Sequence, residues 1–319
     1  MNRTERRVFL RHAVTAGAAA CLAPALAGRA GEPLRQRKFT MDLTCGMIGV
    51  RANQLETIEL AHRFGFESVA PATSYLADLS PMQLDSLLEK LRAAGLVWGA
   101  AGMPVDFRRD TTRFQRGLRD LPRLAAAVRR AGGTRMSTWL RPTHETLTYR
   151  ANFQLHATRL RAVATILKDA GVRFGLEYVG PKTSWTAGRY AFIHTMAEMR
   201  ELITEMNVDN VGLVLDSWHW YTAGDTQADL LALTNHDVVA CDLNDAPAGI
   251  PIDQQRDGSR ELPAATGVID LKTFLDALVQ IQYDGPVRAE PFNKKLNAMD
   301  NEPAVAATAA ALKKAFALM

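Results

Sequence analysis

The sequence predicts a single (β/α)8 barrel, and three observations lead to that fold class. Eight short, apolar, β-branched runs alternate with eight stretches of helical periodicity after residue 38. Continuous apolar strands that alternate with helices are typical of a parallel sheet covered by helices. Eight such units in about 280 residues match the usual size of this barrel. A doubly wound open sheet is the alternative, but no Gly-rich phosphate loop follows the first strand.

The elements follow one another in regular order along the chain. We expect strands near residues 40–50, 67–72, 97–103, 135–141, 173–179, 211–217, 238–243 and 286–290. We expect helices near residues 53–64, 81–94, 113–131, 150–170, 190–206, 226–234, 270–281 and 301–317. Ser80-Pro81 is an N-cap followed by proline at the first helical position, and Gly95, Gly132 and Gly171 stand where helices end. The long segments 102–112 and 248–266 are predicted to cover the mouth of the barrel.

The first 30 residues differ from the rest and are predicted to be an export signal, with the barrel over residues 36–319. Arg6-Arg7 is a twin-arginine pair, an uncharged Ala-rich run extends over residues 13–27, and Ala25-Leu26-Ala27 is a small-x-small cleavage candidate. A transmembrane anchor is the alternative, but the run is shorter than the roughly 20 residues that a span needs. The sequence therefore predicts twin-arginine export to a periplasmic or extracytoplasmic location, with no membrane association after signal removal.

The charge of the chain does not indicate a nucleic-acid partner. The 319 residues carry a net charge of +4, and four Arg and one Glu within residues 1–27 supply three of those charges. The mature part would therefore carry about +1, so a basic isoelectric point arises from the signal and not from a binding surface.

Four neighbouring strands each present an acidic residue near their C-terminal end: Glu177, Asp216, Asp242 and Glu290. In a (β/α)8 barrel these ends converge on one face. A helix cap or a loop salt bridge could explain any one of the acids alone. Four buried carboxylates that face one point need a divalent cation, and an all-oxygen ligand set favours Mn²⁺ or Mg²⁺ over Zn²⁺. The sequence therefore predicts one divalent metal ion bound by these four residues.

The second half of the chain resembles the xylose isomerase-like barrel superfamily, in its sugar phosphate isomerase/epimerase branch. The resemblance covers about residues 170–295. It is carried by Gly-Leu-Glu177, Leu-Asp216-Ser-Trp-His219, Leu-Asn-Asp245-Ala-Pro, Gly267-Val-Ile-Asp270 and Glu290-Pro-Phe. The keto-sugar 3-epimerases of that superfamily hold their metal with Glu, Asp, His and Glu on strands 5 to 8.

The resemblance implies roles for individual residues. Glu177, Asp216 and Glu290 match three metal ligands, whereas Asp242 stands where the family usually has His. Glu177 and Glu290 also match the catalytic acid–base pair, and His219 matches a substrate-binding His. A substrate-binding Arg of the relatives would fall at Ala248 in this chain.

The substitution at Asp242 leaves four acids around one dication, a formal excess of −2, which predicts a compensating cation. Arg288 lies two residues before Glu290 and therefore on the same face of the last strand. The neighbouring strands carry small or modest side chains at the equivalent level: Gly175, Val214 and Ala240. We therefore expect Arg288 to rise inside the barrel and to pair with the ligand carboxylates. A bulge that turns Arg288 toward the helices is the alternative.

Other side chains near the predicted mouth are candidate substrate ligands. They have polar groups or ring faces suited to a sugar, and each could equally be a solvated or packing residue. Besides His219 they are Lys182, Trp185, Trp218, Asn244 and Arg256. Arg260 lies in the same long loop as Arg256.

The function implied is a divalent-metal-dependent sugar isomerase or epimerase. It would transfer a proton next to the carbonyl of a free sugar or keto-sugar. Two alternatives stay open: a 3-keto-glycoside lyase or hydrolase on the same metal site, and a non-catalytic sugar-binding barrel. A phosphodiesterase is disfavoured because few His residues lie near the mouth. The expected partner is a small carbohydrate, and the sequence leaves open a homo-oligomer.

Overall fold

Eight parallel strands form the inner wall of the structure, a computed structural model that describes residues 36–319. The predicted export signal lies outside the described residues. The strands are β1 Thr40–Leu43, β2 Ser68–Val69, β3 Val97–Trp98 continued by Ala101–Gly102, β4 Arg135–Trp139, β5 Arg173–Glu177, β6 Val211–Asp216, β7 Val238–Leu243 and β8 Pro286–Ala289. Each lies inside a strand predicted from the sequence, and together they confirm the (β/α)8 fold class.

The third strand closes the barrel because its two parts pair with different neighbours. The first part of β3 pairs with β2, and the second part pairs with β4. β1 pairs with both β2 and β8, and the other strands follow in chain order. The interruption falls at Gly99, where an added Cβ would lie 2.1 Å from Oδ1 of Asp42. A residue without a side chain is therefore needed beside this buried carboxyl group.

Helices cover the outside of the barrel. Their bounds are α1 Gln54–Phe64, α2 Thr73–Asp78, α3 Pro81–Ala93, α4 Thr111–Arg130, α5 Tyr149–Asp169, α6 Lys182–Trp185, α7 Met196–Met206, α8 Ser217–Ala223, α9 Gln227–Leu231, α10 Leu271–Gln280, α11 Lys294–Asn297 and α12 Asn301–Phe316. Ser80 caps α3 as predicted, because its hydroxyl accepts from the backbone N–H of Gln83. Among residues 36–319, no helix has both the length and the apolar character that a membrane crossing requires.

One predicted helix begins later than expected. The periodicity from residue 190 predicts helix, but Tyr190–Ala191 pairs antiparallel with Thr143–His144. α7 starts only after Thr195, whose side chain accepts from the backbone N–H of Glu198. The capping box at Thr195 therefore sets the boundary that the apolar pattern does not reveal.

The core has two parts. The main part lies between the sheet and the helices and contains the outward-facing strand residues, such as Met41, Leu176 and Val287. A small separate cluster of Ala100, Val214 and Ala240 fills the barrel interior. These small side chains leave space inside the barrel for long polar ones above them.

Candidate metal centre

The four predicted acids gather at the C-terminal end of the barrel. Glu177 ends β5, Asp216 ends β6, Asp242 lies in β7 and Glu290 follows β8, and all four are buried. Asp216 and Asp242 stand side by side in the register of the two strands. One oxygen from each of Glu177, Asp242 and Glu290 lies within 4.8 Å of the other two. The barrel geometry therefore brings together side chains that are far apart in sequence.

Arg288 lies inside the barrel and pairs with Asp242. Its Nε donates to Oδ1 at 2.5 Å and a terminal nitrogen donates to Oδ2 at 3.1 Å. Asp242 and Arg288 are direct neighbours in the register of β7 and β8, and both are buried. This two-point ion pair engages both oxygens of Asp242, on the face that strand alternation predicts.

A second guanidinium enters the cluster from the long loop after β7. Arg260 is buried, and one terminal nitrogen donates to Asp216 Oδ2 at 2.8 Å and to Glu290 Oε2 at 3.1 Å. The other terminal nitrogen donates to Asp257 Oδ1 at 2.7 Å, at the rim of the site. These acids outweigh burial and raise the pKa of Arg260 above its usual value, so it stays charged.

Asn244 orients two of the acids. Its Nδ2 donates to Asp216 Oδ1 at 2.9 Å, and its Oδ1 accepts from the backbone N–H of Glu290 at 3.0 Å. It is fully buried. The structure therefore gives Asn244, a predicted substrate ligand, a positioning role behind the acids.

His219 faces a donor at each ring nitrogen. Its Nδ1 accepts from the backbone N–H of Gly180 at 3.1 Å, and its Nε2 lies 3.3 Å from a terminal nitrogen of Arg260, which can only donate. Burial, with Arg260 nearby, lowers the pKa of His219 to about 3. Nε2 lies 3.7 Å from Asp216 Oδ2 and 3.9 Å from Glu177 Oε1. Ligand atoms of Glu177, Asp216 and His219 all lie within 4.8 Å of one another, so His219 can join two of the acids in holding a metal ion.

Burial and mutual repulsion disfavour the charged forms of the acids. Burial raises the pKa of Glu177 well above its usual range, and Glu290 and Asp242 add repulsion. Burial, with repulsion from Asp242, raises the pKa of Glu290 to about 8, and burial raises that of Asp216 to about 6. The two Arg side chains therefore offset only part of the negative charge.

The residues present fit one divalent cation. Glu177 Oε1 is buried and has no hydrogen-bond partner among residues 36–319. The four acids carry −4 when ionised, and Arg260 and Arg288 offset two of these charges, so one dication would balance the set. Carboxylate oxygens are the ligands that Mn²⁺ and Mg²⁺ prefer.

The remaining predicted substrate residues lie away from the acids or are inaccessible. Lys182 forms an exposed ion pair with Asp253 at 2.6 Å, which ties α6 to the long loop. The Trp185 ring stacks on His194, with ring centroids 4.6 Å apart. Trp218 is fully buried and packs near the Arg260 guanidinium, and its contact with substrate stays a prediction.

Sequence reasoning did not select the two polar residues that complete the site. Arg256 was the favoured Arg of the long loop, but it is exposed, whereas Arg260 is buried against the acids. The loop length hides which Arg folds inward. Asp42 of β1 is also buried inside the barrel, where it accepts from Ser68 and Thr44. Its alternation with the outward-facing Met41 and Leu43 could have revealed it.

Comparisons with known proteins agree with this architecture. The family model for the xylose isomerase-like TIM barrel matches residues 58–315. The inosose isomerase of Bacillus subtilis (strain 168) is 29% identical over 147 residues, which cover 46% of this chain and 49% of that protein. The chain thus spans about half the length of the curated relatives that it matches.

Two solved structures have the same fold. A xylose isomerase domain protein from Alicyclobacillus acidocaldarius subsp. acidocaldarius is 29% identical, with a TM-score of 0.76 over 88% of this chain and 99% of that one. The IolI protein, solved with a binding zinc atom, is 22% identical, with a TM-score of 0.71 over 87% of this chain and 98% of that one. At this identity the second likeness concerns the fold alone.

Proposed function

Because the chain belongs to the xylose isomerase-like TIM barrel family, we propose that it is a divalent-metal-dependent sugar isomerase or epimerase. One observation carries the proposal: Glu177 and Glu290, from strands on different sides of the barrel mouth, converge in one buried cluster. Its relatives include proteins named inosose isomerase, which supports an isomerase. The substrate class proposed is a free sugar or keto-sugar.

Glu177, Asp216, Asp242 and Glu290 would hold the ion, with Mn²⁺ or Mg²⁺ as the proposed metal. When bound, the ion supplies Lewis-acid polarisation of a substrate carbonyl or hydroxyl. Asn244 and Arg288 fix the orientation of the carboxylates. Carboxylate oxygens form most of the donor set, which suits these two metals, and His219 offers one nitrogen beside Glu177 and Asp216.

The proton transfer is assigned to Glu177 and Glu290. One carboxylate removes the proton next to the carbonyl, and the other carboxyl group returns a proton from the other side of the carbon. His219 is assigned to hold a substrate oxygen at the same mouth, as the resemblance to the keto-sugar 3-epimerases implies. Return to the same carbon gives epimerisation, and return to the neighbouring carbon gives isomerisation.

The test is solvent deuterium exchange. Manganese-loaded protein in D2O is incubated with a panel of free sugars, keto-sugars and 3-keto-glycosides, and NMR detects deuterium next to the carbonyl. We expect incorporation that Glu177→Gln and Glu290→Gln each abolish. Glu205→Gln, on the exposed end of α7, is the matched control and should exchange normally. Full activity in both site variants would show that the acid–base assignment is wrong.

The same assay separates the lyase or hydrolase alternative. A 3-keto-glycoside that loses its leaving group after proton removal gives a free aglycone, which chromatography detects. Epimerisation or isomerisation retains the whole carbon skeleton and releases nothing.

A non-catalytic sugar-binding barrel is the second candidate, and Arg260 favours it. Its guanidinium bridges Asp216 and Glu290 and so supplies a positive charge to two of the acids. Metal analysis of the purified protein decides: a binder that uses Arg260 as its permanent cation would contain no tightly bound divalent ion and would exchange no deuterium.

Export by the twin-arginine route is proposed from the sequence alone. Arg6-Arg7, the uncharged run and the cleavage candidate support it. Fractionation of cells that produce the full chain, with Arg6→Lys/Arg7→Lys as the variant, tests it. Loss of the periplasmic pool in the variant is the expected result.

A further inference from the structure

A cavity lies beside the acid cluster, at the mouth of the barrel. It has a volume of about 580 Å³ and is lined by β4, α5 and the segments after β3 and β4, including Trp139, Asn152 and His156. Its charged lining residues are Arg108, Arg109, Arg141, Asp106 and Glu145, three cations and two acids. Trp139 is the register neighbour of Glu177, and the backbone N–H of Leu140 donates to the Glu177 carbonyl. The cavity is therefore one strand away from the proposed reacting carboxylate.

Arg108 brings a positive charge to this cavity and forms no ion pair among residues 36–319. One terminal nitrogen donates to Thr138 Oγ1 at 2.9 Å and to the Trp139 carbonyl, while Nε is buried and has no partner among residues 36–319. Asp106, the nearby acid, forms its ion pairs with Arg109 and Arg113. Burial lowers the pKa of Arg108 to about 10, despite attraction from Asp106. A guanidinium placed this way lacks a counter-ion.

Two buried guanidiniums of the site differ from that of Arg108, which is half-buried. Arg260 and Arg288 each have a carboxylate partner within hydrogen-bond distance. Arg108 is held by ring stacking instead, with its central carbon 4.3 Å from the ring centroids of both Phe107 and Trp139. Stacking fixes the guanidinium in place without neutralising it, so an external anion would gain a pre-positioned partner.

The floor of the cavity offers acceptors. Asn152 Oδ1 and His156 Nε2 are buried and have no hydrogen-bond partner within the part of the chain that the structure describes. His156 Nδ1–H donates to the Asn152 carbonyl at 2.9 Å, which leaves Nε2 as an acceptor in the neutral ring. Buried acceptors without donors are uncommon in proteins, and ligand hydroxyl groups would satisfy both.

We propose that this cavity binds an anionic group of the substrate, a carboxylate or a phosphate, with Arg108 and Arg141 as its partners. Hydroxyl groups next to the anion would donate to Asn152 and His156. The proposal rests on the proposed function and replaces its neutral free sugar with an acidic one, whose anionic group lies at the end distant from the reacting carbonyl. Arg141 is exposed at the rim and can fold over the anion.

Calorimetric titration of the purified protein with three matched ligands tests the proposal. D-Glucuronate carries a carboxylate, D-glucose 6-phosphate carries a phosphate, and D-glucose carries neither. We expect at least one of the anionic sugars to bind about tenfold or more tightly than D-glucose, and the preference to weaken from low to physiological salt. Whichever anionic sugar binds with the higher affinity identifies the acidic group that the cavity accepts.

Two substitutions test whether the preference for anionic sugars arises in this cavity. Arg108→Gln and Arg141→Gln should each reduce the preference for anionic sugars at least about fivefold, whereas Arg119→Gln, on the exposed face of α4, should leave it unchanged. Arg141 is exposed, so its substitution should not prevent folding. Equal binding of all three sugars by the wild-type protein, or a preference that survives both site variants, would overturn the proposal.

The titration tests anion binding independently of the proposed catalysis. Repeated on Glu290→Gln, which is expected to exchange no deuterium, it should give the same anion preference. A protein that prefers the anionic sugar but never exchanges protons would refute the proposed function and keep this inference. A protein that exchanges protons but binds all three sugars alike would refute this inference and keep the proposed function.

Discussion

At the scale of single residues, Asp242 and Arg288 are the pair on which the site depends most. The resemblance to keto-sugar 3-epimerases implies a His at the position of Asp242, and a neutral His would not need a buried cation beside it. Here Arg288 donates to both oxygens of Asp242. The acid and the Arg therefore form one unit, in which removal of either member leaves a buried charge without a partner.

Asp242→Asn should lower the free energy of unfolding by about 3–5 kcal/mol, because Arg288 then stays buried and unpaired. Urea denaturation of metal-free protein measures the change. Asp276→Asn is the control, since Asp276 belongs to an exposed ion pair with Lys272 and should cost less than about 1 kcal/mol. If both substitutions lower the free energy of unfolding by the same small amount, Asp242 and Arg288 do not depend on each other as an ion pair.

Arg260→Gln should raise the affinity for Mn²⁺ by at least about tenfold. The substitution removes a positive charge that lies within 3.1 Å of Asp216 and Glu290, and charges this close repel a dication strongly in a buried site. Calorimetric titration with Mn²⁺ gives the affinity. Arg256→Gln, in the same loop but exposed, should bind as the wild type does. An unchanged or weaker affinity in Arg260→Gln would show that Arg260 supports the metal site.

At the scale of elements, the strand ends were the most predictable part of the site. An acid that follows an apolar run is visible in the sequence, and parallel strands bring their C-terminal ends together. Asp216 and Asp242 illustrate this, since they are register neighbours although 26 positions separate them. Loop residues were less predictable, because the number of residues in a loop does not tell which side chain folds inward. Arg260 and Arg256 show this directly.

The interruption of β3 gives a prediction for Gly99. Gly99→Ala places a Cβ 2.1 Å from Oδ1 of Asp42, a carboxyl held by Ser68 and Thr44, so it should destabilise the fold by about 1–3 kcal/mol. Gly102→Ala is the control in the same strand, because no heavy atom lies within 4 Å of its added Cβ. Thermal unfolding compares the two, and equal midpoints would contradict the close approach of Asp42 to β3.

His156 of α5 makes stability depend on pH. Burial lowers its folded-state pKa to about 4, compared with about 6.5 when unfolded. The unfolded chain therefore binds more protons between these values. The stability that the neutral buried ring contributes is fully present above about pH 6.5 and is lost as pH falls below that value. The free energy of unfolding stops changing on this account below about pH 4.

Unfolding free energies measured from pH 7.5 to 4.5 should show this dependence. His156→Gln should remove on the order of 2–3 kcal/mol of the total change over that range. The exposed His62→Gln should leave the curve of the wild type intact. A His156→Gln curve parallel to that of the wild type would mean that the ring is not buried in its neutral form.

At the scale of the whole molecule, the barrel makes a strongly charged centre tolerable. Strand ends collect the acids, small residues inside the barrel leave room for Arg288, and a long loop supplies Arg260. The fold class and the set of acids followed from hydrophobic periodicity and strand alternation. The second buried Arg, Arg260, and the cavity beside Trp139 could not be predicted in this way, because both depend on how loops pack across the mouth.

The central claim is that the strand-end acids bind a single divalent ion. Crystals grown with Mn²⁺ and measured at the manganese absorption edge test it most directly. The account predicts one anomalous peak per chain, within coordination distance of Glu177, Asp216, Asp242 and Glu290, and its loss in Glu177→Gln. A map with no peak among these oxygens, and with Arg260 still bridging Asp216 and Glu290, would contradict it.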